Sequence, residues 1–485
     1  MVVAKRLRTT PVVGLIAIFV IARLIALASG MSFDADNLTG WMQIVDVELL
    51  RHDLWRSLYY LHSQPPLFNL IIGLALRLGD HGFIWAMWLL YALVALGGIL
   101  SFHAVARDLI DRPRLVFAIS AWFCIAPSVL LFSQKLYYDG LVPWLLSMAV
   151  WGWHSGVKHR SFARLLFGFS MLAATLLIRT MIHPLLLVCA LAVLLLLVPG
   201  QRKRVIAAAI VPALAVLAVI LKNFLLFGIT QLSSWAPLSP GQTTVDQLPV
   251  ETRIQLMKEG RLSRFAPLIV FALPSQYLAL MPPLKPTGLP MLDDPFKSTG
   301  DPNYHHILFT KIGAERSRDV MFALRYAPER FGLVVVKSLY HFHRPASEFK
   351  GMGRNLAHIA IWDRIGNATV GLQPAAWFGS SLDKGRPQAV LLQISYSTLA
   401  TTLAFLGGVW LVMRSIFRDI RARRWPEQAL ATPLIVIGFG LFVLLLSSAF
   451  DVYENNRAHY DIGPILALGA LWFLAQLRPQ GPFTR

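Results

Sequence analysis

Charge is what this sequence has least of. Only 15% of its 485 residues are charged, where a soluble domain carries about 25%. Acid is scarcer than base, 26 Asp and Glu against 45 Lys and Arg, and the formal net charge of +19 resembles at first a nucleic-acid binder. No aromatic-interleaved basic stripe or nucleic-acid motif accompanies it, which argues against that class. Cysteine is almost missing: Cys124 and Cys189 each fall inside an apolar run, read as small packed hydrophobes that say nothing about redox compartment. Internal repeats and low-complexity tracts are also missing, as is any segment that reads as a soluble domain with its own core.

What fills the chain instead is apolar sequence. It is 56% hydrophobic, with a mean hydropathy of +0.57. Runs at 11–29, 83–106, 115–133, 139–154, 165–182, 183–199, 205–227, 389–413, 430–449 and 461–477 approach the length a helix needs to satisfy its own backbone across a bilayer. The N-terminus, with Lys5, Arg6, Arg8 and then an apolar stretch, mimics a signal peptide. Arg23 interrupts the end of that stretch, so 11–29 is read as a retained first span. The expected fold is an all-α polytopic membrane protein of about ten transmembrane helices.

Basic residues set the expected orientation. The segment 64–79 is apolar but short. If it stays at one interface, Lys5/Arg6/Arg8, Arg107/Arg112/Arg114, Lys158/Arg160/Arg164, Arg202/Lys203/Arg204, Arg414/Arg418/Arg421/Arg423/Arg424 and Arg478/Arg485 share one side, the cytoplasmic one. If it crosses, every later cluster flips away from the first. Both termini are therefore placed in the cytoplasm. Two large loops, 30–82 and 228–388, are extracytoplasmic, and 389–485 holds the last spans. The second loop is rich in proline, with interfacial helices expected at 264–281 and near 319–343. Long loops carry function, so chemistry is expected on that face. The alanine-, leucine- and arginine-rich composition suggests a bacterial inner membrane.

Asp34 and Asp36 follow the first span directly. Behind them Trp41, Ile44, Val45 and Leu49 recur with helical spacing, so either acid can simply cap a helix. At the depth of a lipid headgroup, an ionised carboxylate could equally take a proton from an acceptor hydroxyl. The pair also spells D-x-D, a pattern too common to establish a divalent metal; no cofactor is expected.

Together with the outer amphipathic helix, the Gln64-Pro65-Pro66-Leu67 segment, Tyr137-Tyr138-Asp139 at the next outer turn and Glu454 to Asp461 before the last span, this pattern resembles the GT-C glycosyltransferases. These include the protein O-mannosyltransferases, the aminoarabinose transferase of lipid A and the catalytic subunit of oligosaccharyltransferase. The resemblance implies an inverting enzyme that moves a sugar from a polyprenyl-phosphate carrier to a glycan, lipid or protein acceptor. It implies an essential Asp in the first outer loop and, in some members, an acid at the place of Asp139. Many members read Asp-Glu where this chain reads Asp-Ala-Asp-Asn. Both Asp34 and Asp36 are thus candidate bases, with Asp36 favoured because it abuts the predicted helix.

A phosphate leaving group needs cationic stabilisation rather than a general acid. Outer-face candidates are Lys135, Arg179, His183, Arg344, Arg457 and His459. Arg457 comes first, as the only Lys or Arg in its loop, although Glu454 or Asp461 can hold it in a salt bridge. His62 and Gln64 lie by the Pro-Pro turn, where a turn-capping role competes for the histidine. His341 and His343 suit a structural or phosphate contact better than a metal. Tyr138, Glu454 and His343 complete the candidate site. His305-His306 reads as loop surface, and His103 and His154 as interfacial anchors. The rival classes are a transporter or flippase of lipid-linked sugars, which would show repeats and mid-membrane polar residues, and a non-catalytic scaffold.

Overall fold

Broken and shortened helices, more than the long ones, position the polar residues of this protein. The computed structural model describes residues 2–349, 351–367, 369–371, 393–452 and 454–477. Arg478, Arg485, residues 389–392 and the side chains of Lys5, Arg6 and Arg8 lie outside the described residues. The chain is an all-α integral membrane protein. Among the described residues, Thr10–Ala28, Gly79–Leu109, Pro199–Phe227, Tyr396–Arg421, Gln428–Phe450 and Asn455–Gln476 are long and apolar enough to cross a bilayer. Leu67–Leu76, Pro113–Ile125, Phe162–Ile178 and Leu185–Leu197 are shorter apolar helices. At ten residues, Leu67–Leu76 is about 15 Å long, half of what a crossing needs. One short antiparallel ladder pairs 369–371 with 393–395.

Helix Val142–Lys158 forms the centre of the bundle, packed on Phe162–Ile178, Gly79–Leu109 and Asn455–Gln476. Glycine lets these helices meet, as small residues do where lipid gives no hydrophobic drive to association. A Cβ at Gly152 would lie 2.5 Å from the Cα of Gly168, a backbone atom that cannot swing aside. Gly152→Ala is therefore expected to cost about 1–3 kcal/mol, seen as a lower melting temperature in detergent.

The charged ends of the bundle segregate. At one end Asp108 meets Lys158 at 2.7 Å and His154 at 3.3 Å, and Trp425 reaches the Leu196 carbonyl at 3.0 Å. His103 and His154 both bond between helices, to Ser120 and to Thr432 at 3.0 Å. At the other end lie Asp34, Lys135, Asp139, Arg179 and Arg457.

Three sequence expectations are corrected. The amphipathic helix behind Asp36 is instead a single turn, Asn37–Gly40, an extended Trp41, and a second helix, Val47–His52, capped by Asp46. Ile44 and Val45 are still fully buried. The Asn69 amide satisfies the irregular backbone between the two pieces, accepting from Val45 N–H at 2.9 Å and donating to the Gln43 carbonyl at 3.1 Å. Helical spacing here reflects burial of a loop. The interfacial helix expected at 264–281 reduces to Pro274–Leu278, and the later one is two helices, Leu308–Tyr326 and Pro328–Phe342.

Thirdly, the second loop has small cores of its own. Trp235, Leu238, Phe265, Tyr277, Leu308 and Phe309 form one, and Val245, Leu256, Ala266 and Val320 belong to another. Arg316, fully buried, ties the loop together by donating to the Tyr277 hydroxyl at 2.7 Å and the Leu268 carbonyl at 2.9 Å. Ordered loop backbone packed this way needs no continuous apolar run, which is why the sequence pattern does not show it.

Candidate active site

The first outer segment and the 134–139 turn are joined by backbone. Asp34 N–H donates to the Gln134 carbonyl at 2.7 Å, and Leu136 N–H donates to the Asp34 carbonyl at 2.9 Å. This places Lys135 Nζ 2.6 Å from Asp34 Oδ2. Asp34 Oδ1 accepts from Asp36 N–H at 2.9 Å. Asp34 and Lys135 are both buried. Asp36 is not: its side chain is 72% exposed, 3.8 Å from Arg354, and makes no capping bond. The preference for Asp36 on the ground that it heads a long helix loses its basis, because that helix does not form.

A second set of charges lies across an aromatic wall. Arg179, at the end of Phe162–Ile178, bridges the buried carboxylates of Asp139 and Asp461. Arg457 pairs with Glu454 at 2.9 Å and approaches Asp139 at 3.6 Å. Tyr138 packs against both guanidiniums, at 5.1 Å from Arg179 and 6.0 Å from Arg457. Trp41 touches Tyr138 and Tyr137 at centroid distances of 5.1 and 4.4 Å. Tyr137 in turn lies 5.9 Å from Lys135 Nζ. Trp41, Tyr137 and Tyr138 thus connect the Asp34–Lys135 pair to the Arg179 and Arg457 cluster.

Asp139 Oδ2 and Asp461 Oδ1 are buried with no hydrogen-bond partner among the described residues. Such oxygens are costly unless something donates to them. Asp451, at the end of Ala431–Phe450, has its carboxyl pushed up to about 6, first by desolvation and then by Glu454, against the pull of Arg457 and Arg179.

Of the remaining candidates, Arg344, His343 and His459 lie by the start of the last helix, where Asn456 donates to the Pro345 carbonyl at 3.0 Å; His183 and Gln64 lie elsewhere. Arg344 is buried and held by Glu348 at 2.7 and 3.0 Å. His343 Nδ1 bonds the Leu339 carbonyl at 2.7 Å. His459 packs edge-on to Phe342 at 5.0 Å. His183 accepts from Leu185 N–H at 3.2 Å, a local turn contact. Gln64 is buried beside the Pro-Pro turn. Among the described residues no group of three or more His, Cys, Asp or Glu could hold a metal ion.

His62 belongs to a latch between the two large loops. Its Nδ1 meets Ser234 Oγ at 2.8 Å, while Ser63 meets His305. Lys297 donates to the Thr39 and Trp41 carbonyls at 2.9 Å. His305 and His306 are buried, a correction to their reading as loop surface. Burial, first of all causes, pulls both His62 and His305 down to about 3. A histidine whose folded value lies below its unfolded one contributes stability above about pH 6.5 and loses it as pH falls toward 3. The melting temperature is expected to fall between pH 7 and pH 4.5, with a shallower slope in His62→Gln.

No protein-family model matches the sequence, and no curated protein does. Among solved structures the chain is similar to the Archaeoglobus fulgidus oligosaccharyltransferase in the apo form, at 13% identity and a TM-score of 0.36, over 95% of this chain and 50% of that one. It is similar to the same organism's AglB in complex with an inhibitory peptide and a dolichol-phosphate, at 12% identity and a TM-score of 0.34, over 95% and 50%. For ArnT from Cupriavidus metallidurans in the apo state the values are 14%, 0.30, 97% and 78%. The chain spans about half the length of the oligosaccharyltransferase chains it matches. Likeness at these values carries no function, which has to come from the chain's own residues.

Proposed function

We propose that this protein is an inverting membrane glycosyltransferase of the GT-C type, moving a sugar from a polyprenyl-phosphate carrier to an extracytoplasmic acceptor. The observation that supports it is that, at one end of an apolar bundle, a buried Asp34–Lys135 pair is joined through Tyr137, Trp41 and Tyr138 to the buried Arg179 and Arg457. A lipid-anchored donor would bring its phosphate to this depth. The leaving phosphate needs positive charge already in place, which Lys135 and Arg457 would supply.

Asp34 is the proposed base. In the resting protein Lys135 neutralises it. A donor phosphate competing for Lys135 would leave Asp34 free to take the acceptor's proton, coupling base activation to donor arrival. The acceptor oxygen then attacks the anomeric carbon from the face opposite the departing phosphate, so configuration inverts. The unpartnered oxygens of Asp139 and Asp461 would accept from sugar hydroxyls. The face is proposed to be extracytoplasmic, in a bacterial inner membrane, with both termini in the cytoplasm.

The test is transfer of a radiolabelled sugar from polyprenyl phosphate by the full chain in liposomes. Lys135→Met is expected to abolish donor-dependent transfer, whereas EDTA leaves the wild-type rate unchanged. Absence of transfer with every polyprenyl-phosphate sugar and acceptor tried, by protein that melts normally, counts against the reading.

A further inference from the structure

The segment that carries Lys135, Tyr138 and Asp139 hangs from a break in a transmembrane run. Pro113–Ile125 stops and Pro127–Phe132 starts anew, with Ala126 between them extended at φ −55° and ψ 132°. Proline explains the stop: it has no N–H to give, and it disfavours helical geometry in the residue before it. A break of this kind leaves carbonyls without partners, and the membrane interior has no water to supply one.

Two distant side chains fill the gap. Arg23, from the first span, donates through Nη1 to the Cys124 carbonyl. Trp362, from the second large loop, donates through Nε1 to the Ile125 carbonyl at 2.7 Å. Both are held by rings: the Arg23 guanidinium lies 3.7 Å from the Phe19 centroid, and Trp362 packs on Trp122 at 5.9 Å. Arg23 is buried, and its Nε and Nη2 have no hydrogen-bond partner among the described residues. A charge kept under apolar cover with two of its donor groups idle is costly. Among the described residues, capping the broken helix is the one hydrogen bond its side chain makes.

We infer that Arg23 and Trp362 are positioning residues, bracing the break from two sides so that the 133–139 segment holds Lys135 against Asp34 and Asp139 against Arg179. Neither touches the reacting groups; both act through the 124–127 backbone. The brace itself is independent of the proposed chemistry, and its effect on turnover rests on that reading.

Hydrogen exchange on the full chain in detergent separates the two. Trp362→Phe, which keeps the ring and removes the donor, and Arg23→Met are each expected to quicken exchange over 133–141 by about tenfold, the worth of one such bond. Helix Phe162–Ile178 and the loop core around Arg316 should exchange as in the wild type. Arg23→Gln, which can still donate, should recover most of the protection. In the transfer assay the same variants should lower kcat several-fold and raise KM for the donor, because the loosened segment carries Lys135. Unchanged exchange over 133–141, or an equal rise everywhere, overturns the brace. Faster local exchange with wild-type kcat overturns the positioning role. If Arg23→Met fails to fold, Trp362→Phe decides alone. If the wild type shows no transfer, the exchange result still stands.

Discussion

Asp34→Asn should lower the rate of sugar transfer by about 10²–10⁴-fold, the range a positioned general base contributes, while Asp36→Asn stays within a few-fold of the wild type. The two acids differ in burial, not in chemistry. Asp34 is under cover beside Lys135, where its field acts through little solvent. Asp36 stands in water. The asparagine keeps the shape of the carboxylate and still accepts from Asp36 N–H. It leaves the buried Lys135 ammonium without its counter-charge, however, so the melting temperature should fall and rates are compared below it. Initial rates with both variants, alongside thermal melts, check this. Equal loss in both, or none in either, removes Asp34 as the base.

Arg179→Met is the second large effect, and it is expected first in folding. The guanidinium lies between the buried carboxylates of Asp139 and Asp461. Taking away one partner of a buried pair leaves charge without compensation, at about 3–5 kcal/mol. Arg457 contacts Asp139 but is also engaged with Glu454, so it cannot neutralise both acids. Arg179→Met should melt well below the wild type, and the triple variant Arg179→Met/Asp139→Leu/Asp461→Leu should regain much of the loss because no charge is then stranded. A triple variant no more stable than the single one would show that the cluster is not the electrostatic unit described.

The sequence shows the helices better than it shows their junctions. Apolar runs and basic clusters suffice to place Asp34, Lys135, Asp139, Arg179 and Arg457 at one end of the bundle. The partnerships there are long-range: Arg179 and Asp461 are 282 residues apart, and Lys135 and Asp34 are 101 apart. A charged residue at the end of an apolar run signals a partner without naming it. Arg23 and Trp362 were invisible as a pair for the same reason, although Arg23 alone, a charge inside a span, invites the question. The Trp41–Leu49 spacing misled because a buried loop and a helix can bury the same residues. The second loop misled because prolines hide its helices and its cores are discontinuous in sequence.

The most direct measurement is a structure of the full chain in a lipid nanodisc with a polyprenyl phosphate bound. The account predicts phosphate density within hydrogen-bonding distance of Lys135 Nζ or the Arg457 guanidinium, with the Asp34–Lys135 contact lengthened relative to the unbound protein. Phosphate seated at the opposite end of the bundle, near Asp108 and Lys158, or at the intended end with neither cation in reach, would contradict it.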